Sequence, residues 1–180
     1  MVLAPRIEGR VAIQSAADRF VEALRRRVAA GLLSVQPHPR SRYRVSDAGK
    51  DRLRIDAVGW WTALNVGLNE WTLDLTEPGV VRYGVRFWRW AAYGVGLSAL
   101  LGIIGVVLLL TLDVRGYIAD HVASRVPGLS VDQNLTIAWA MAFFWGFVWP
   151  WLLIALHKRP LHKLVARIVA EVDGDAAGVA

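Results

Sequence analysis

Two uncharged stretches of 22 residues constrain this chain more than anything else in it: AAYGVGLSALLGIIGVVLLLTL at 91–112 and LTIAWAMAFFWGFVWPWLLIAL at 135–156. At 1.5 Å per residue a helix of that length reaches about 33 Å, enough to cross a hydrocarbon core of about 30 Å. A helix buried in a soluble core rarely stays apolar on every side for so long. The 55% apolar content of the 180-residue chain is concentrated in these two blocks. The sequence therefore predicts a membrane protein with one span over 88–112 and a second over 135–156. An extracytoplasmic connection over 113–134 joins them, and 1–87 has room for one folded domain.

The N-terminal residues MVLAPRIEGRVAIQ lack the apolar core of a signal peptide, so 1–87 is expected to remain cytoplasmic. Basic residues near the span ends agree. Arg82, Arg86 and Arg89 precede the first span, and Lys158, Arg159, Lys163 and Arg167 follow the second. The connection carries Arg115 and Arg125 against three aspartates. That asymmetry predicts both termini in the cytoplasm. The net charge of +6 resides in residues 1–90, which suits attraction to anionic headgroups and makes membrane lipids the expected partner. No basic cluster is interleaved with stacking aromatics, so nucleic acid is not expected as a partner. With no cysteine, disulfides and thiolate chemistry are excluded.

Within 1–87, IEGRVAI (7–13) reads as a strand and SAADRFVEALRRRVAAG (15–31) as a helix. Ser15 is the expected N-cap, Gly31 the expected C-terminal stop, and Phe20, Leu24 and Val28 share one face. The triplet Arg25–Arg27 is read as complementing the helix dipole. Prolines make 34–41 a loop. The period then becomes two in RYRVS, RLRIDAV, TALNVGL and WTLDL, with Asn69-Glu70 expected as a turn. Pro78-Gly79 suits a type II turn before a last strand over 80–87, which would bury Val81, Tyr83, Val85 and Phe87. The rival reading starts the first membrane helix near 79; Gly84 and three valines count against it. The expected order is β-α-β-β-β-β-β, an α+β domain with an antiparallel sheet and one packed helix.

A strand, a long helix, a meander and then another long helix is an order that resembles the plan of START-like, helix-grip domains. The resemblance covers residues 6–90 and rests on element order. It implies an apolar ligand between sheet and closing helix, with Trp60, Trp61 and Trp71 as candidate lining residues.

The spans carry a different signal. Gly94, Ser98, Gly102 and Gly105 form one smooth stripe, and Ala138, Ala142 and Gly146 another. Small stripes let membrane helices approach closely. They predict a hairpin packed stripe against stripe, with association into a homo-oligomer, or with a protein partner, as the alternative. Pro150 is expected to kink the second span. Trp88, Trp90, Trp149 and Trp151, with Trp145, are expected to form an aromatic belt beside Arg82, Arg86, Arg89, Lys158 and Arg159.

No catalytic, cofactor-binding or metal-ligating set emerges. His157 and His162 are separated by Pro160, and His38 and His121 stand alone. Asp47, Asp51, Asp56 and Asp74 read as solvated carboxylates, and the Asn134-Leu-Thr glycosylation pattern abuts the bilayer. Residues 161–172 form an amphipathic helix that suits either the membrane interface or the folded domain, and DGDAAGVA is expected to be disordered. The spans hold no ionisable residue, which argues against a transporter or channel. The reading is a non-enzymatic interaction or assembly role at the bilayer surface, with lipid or apolar-ligand binding as the alternative.

Overall fold

The computed structural model describes residues 4–32, 43–49 and 51–178. The expected loop 34–41, with His38, lies outside them. Two units are distinguishable: residues 1–92 with 154–180, and residues 93–153.

The first unit is built on β1 (Arg6–Ala12), α1 (Ala17–Gly31), β2 (Tyr43–Gly49), β3 (Arg52–Ala57), α2 (Trp60–Val66), β4 (Glu70–Asp74) and β5 (Val80–Arg86). The strands make one antiparallel sheet in the order β1-β5-β4-β3-β2, so the first strand pairs with the last. Period-two alternation sends Ile7, Ile55, Trp71 and Val85 to one face in register, with Leu53, Leu73 and Val81 beside them. That face is covered by α1 through Phe20, Leu24 and Val28. It is also covered by the C-terminal part of α6 (Trp149–Ala177), through Leu161, Val165, Val169 and Val172. Phe20 and Leu24 are fully buried, each contributing about 1.5–3 kcal/mol.

Strand β5 buries Val81 and Val85, and Phe87 just beyond it, as the alternation predicts. The chain enters α3 (Trp88–Thr111) one residue after β5 ends. Gly79 has φ 73°, and the Val80 N–H donates to the Glu77 carbonyl, closing the expected turn.

Several expectations are corrected. TALNVGL is not a strand: Trp60–Val66 is helical and ends on Gly67 at φ 77°. Its alternation is incidental, because Ala and Leu tolerate a helix and the sheet is already complete with five strands. Asn69-Glu70 is not a turn, since Glu70 opens β4 and Asn69 is buried. Ser15 does not cap α1; Ala16 occupies that position without a side-chain bond, and Ser15 turns to Asp173. The arginine triplet precedes the last turn, where Arg25 pairs with Asp47 at 2.5 Å and Arg27 with Glu171 at 2.9 Å. The C-terminal residues are helical through Ala177, and Ala176 is buried.

The second unit contains the rest of α3, then α4 (Val114–Asp120), a 3-10 turn at 122–124, α5 (Val131–Phe143), a π-helical turn over 144–148 and the beginning of α6. Asp113 caps α4 by accepting from the Gly116 N–H. Ser130 and Gln133 form a reciprocal capping box that starts α5 four residues before the expected span. The π turn, with the Trp149 N–H donating to the Phe144 carbonyl, stands just before Pro150, which can neither donate nor tolerate a close carbonyl four residues back. Pro150 thus widens the helix rather than ending it. Helix α6 likewise continues through Pro160, held by buried Leu161 and Val165. Two helical stretches, Trp88–Thr111 and Val131–Ala177, are long and apolar enough to cross a membrane.

Candidate functional site

The face of the sheet turned away from α1 and α6 is a charged grid. Cross-strand register sets Arg6, Arg86, Glu70 and Asp56 in one row, and Arg10, Arg82, Asp74 and Arg52 in another. Between them run Glu8, Gly84, Thr72 and Arg54. The middle row is low at its centre. Gly84 has no side chain, and the Thr72 hydroxyl donates back to the Gly84 carbonyl at 3.1 Å. The arginine rows stand above that floor and enclose an open cleft of about 680 Å³.

Carboxylates hold the arginines in place. Arg54 donates to Asp56 at 2.9 Å and reaches Glu70 at 3.4 Å, while Arg86 approaches Glu70 from the other side at 3.6 Å. Arg52 pairs with Asp74, whose carboxyl is held below its ordinary pKa by the Thr76 hydroxyl and amide, with Arg52 adding to the effect. Arg82 pairs with Glu77 at 2.6 Å and lowers that carboxyl in the same way. Exposed pairs of this kind are screened by water and add little to stability, so the grid orders the arginines more than it stabilises the fold. Arg82 and Arg86, expected at the membrane interface, belong to this grid.

A second constellation gathers where α3 leaves the sheet. The buried Asn69 side chain accepts from the Arg89 N–H at 2.8 Å and donates to the Ala63 carbonyl at 3.0 Å. One amide thereby satisfies the first turn of α3 and a carbonyl of α2 together. Gly67 closes the same point. A side chain there would meet His157 Nε2 at 2.8 Å, and its left-handed backbone already favours glycine. His157 stacks on Trp90 at 4.1 Å and edges Phe87 at 5.4 Å. One turn further along α6, His162 Nδ1 lies 2.9 Å from the Tyr83 hydroxyl, whose pKa is raised by burial. The expected interface residue Trp88 is exposed with the Arg89 guanidinium 5.4 Å from its ring, Arg159 is exposed and Lys158 half-buried.

At its far end α6 is tied to the β1–α1 connection. Asp173 accepts from the Gln14 amide and from both the amide and hydroxyl of Ser15. Burial alone would raise its pKa; the three hydrogen bonds outweigh it and hold the carboxyl low.

In the second unit the helices cross at glycine on glycine. A Cβ on Gly102 would meet the Gly146 Cα at 2.5 Å, and Gly105 faces the Ala142 methyl at 3.4 Å. Ser98 and Ala138 are half-buried, whereas Gly94 has nothing within 4 Å of its would-be Cβ. Trp149 meets Trp145 at 4.7 Å, and Trp151 is exposed. Asn134 accepts from the Val126 N–H and donates to the Ser130 carbonyl, so its amide is occupied in closing the α4–α5 connection.

Of the three tryptophans expected to line a ligand, Trp71 is buried in the core while Trp60 and Trp61 are exposed. Among the described residues no three His, Asp or Glu side chains come together as a metal site. His121 stacks on Tyr117 at 4.3 Å. Asn69 and the Gly67–His157 contact were not legible as functional from sequence, because each depends on partners remote in the chain. No protein-family model matches the chain, and neither does any curated protein or solved structure.

Proposed function

We propose that this chain is an integral membrane protein with two spans, α3 and the α5–α6 helix, and with both termini in the cytoplasm. It presents its α+β unit at the bilayer surface for a non-enzymatic interaction or assembly role. One observation carries the membrane assignment: the most apolar stretch of α3 is only 6% buried, and that of the second helix 17%. A core helix of a soluble protein would be covered. Apolar surface left open over that length needs lipid.

The interaction role is supported by the outer sheet face. Its ion-paired arginines form a preordered, net basic surface suited to an acidic partner, since paired side chains lose less freedom on binding.

The apolar-ligand alternative keeps the helix-on-sheet plan in its favour. Against it, Phe20, Leu24, Leu73, Val81 and Val165 bury fully between the helices and the sheet, and the large cleft lies on the polar side. A photo-crosslinking residue in place of Ser46, on the outer face, tests the reading in native membranes. A discrete protein adduct that disappears on reversing Arg52 to Glu is expected. Adducts to lipid alone, or a stoichiometric apolar ligand in native mass spectrometry of the purified protein, would overturn it.

A further inference from the structure

The large apolar side chains that the first unit leaves exposed, among the described residues, are Val58, Trp60, Trp61, Trp88 and Leu156. They are not scattered. Trp88 and Leu156 flank Phe87 and His157, which both pack at Gly67, the residue that ends α2. Val58, Trp60 and Trp61 lie at the other end of that seven-residue helix, about 10 Å away. Asn69 joins α2 to the first turn of α3 through a single amide. The unit's exposed apolar residues therefore lie at, or within the length of this one short helix from, the point where Phe87 and His157 meet Gly67, and Arg89, Lys158 and Arg159 neighbour Trp88 and Leu156 in the chain.

Trp61 is 75% exposed and Trp60 49%. Two adjacent indoles left open on a helix tied to α3 through Asn69 would be costly in water. Indole carries an apolar body and a polar N–H, and it prefers the boundary between headgroups and acyl chains. Flanking cations favour an anionic surface.

We infer that α2 is an interfacial membrane helix. Trp60 and Trp61 rest in the headgroup–acyl boundary of the bilayer that α3 and α6 cross, adding a third point of membrane contact to the first unit. The occupant of this patch is lipid. The inference rests on the membrane assignment proposed above.

The natural chain has no cysteine, so single-cysteine spin labelling of the full-length protein in phosphatidylcholine–phosphatidylglycerol vesicles tests it. Trp60→Cys and Trp61→Cys each keep the other indole, and Val58→Cys keeps both. Ile104→Cys in α3 gives the depth reference and Ser46→Cys the aqueous one. Labels at 58, 60 and 61 should show oxygen-to-nickel collision ratios severalfold above that at 46 and below that at 104. Water-like ratios at 58, 60 and 61 with a lipid-like ratio at 104 would overturn the inference and leave the span intact, marking the patch as open to a protein. A water-like ratio at 104 as well would overturn both.

Discussion

In the first unit the Asn69 side chain bridges α2 and α3. Its amide is buried at 4% exposure and serves two helices that belong to different parts of the chain. Asn69→Ala should leave the Ala63 carbonyl and the Arg89 N–H without this partner. That costs about 1–3 kcal/mol. Thermal unfolding in detergent should show a clear fall in Tm, and Asn69→Asp should also fall, because a carboxylate oxygen would then face the Ala63 carbonyl. An unchanged Tm for Asn69→Ala would refute the role. The sequence could not disclose it, because an Asn before Glu between two apolar runs has the signature of a turn. Ser15 failed for the same reason. A local capping pattern was present, but Asp173, 158 positions away, took the hydroxyl.

At the scale of elements, period-two alternation located β3, β4 and β5 with their inward residues, and the helical spacing of Phe20, Leu24 and Val28 located α1. It misread α2, where a short alternation carried no information about a sheet already full. The positions of the two long apolar helices were legible from the absence of charge. The start of the second was not: a capping box of Ser130 and Gln133 sets it, four residues before the uncharged block begins, and the π turn inside the helix depends on Pro150.

The glycine crossing makes an element-scale prediction. Gly102 and Gly146 present backbone to backbone, so no neighbouring side chain can move aside. Gly102→Leu should force α3 and the second helix apart. Overpacking of this kind costs about 1–3 kcal/mol or more. The variant should melt lower in detergent than Gly94→Leu, whose site has nothing within 4 Å. Equal melting of the two would contradict the crossing.

For the whole molecule, the sequence separated apolar blocks from a basic domain, and the structure agrees that the apolar helices are uncovered. The destination of the C-terminal helix was open between membrane interface and folded domain. Leu161, Val165 and Val172 close the sheet's core, so that helix packs in the first unit. Composition could not decide this, because an amphipathic face suits either environment.

The central claim is that the chain crosses a membrane twice with its sheet domain in the cytoplasm, and sided labelling tests it directly. Ala119→Cys lies on exposed α4 and Ser46→Cys on the outer sheet face. A membrane-impermeant maleimide applied to intact cells should label position 119 at once and position 46 only after the membrane is broken. Labelling of position 46 in intact cells to the same extent as 119, or protection of both, would contradict the account.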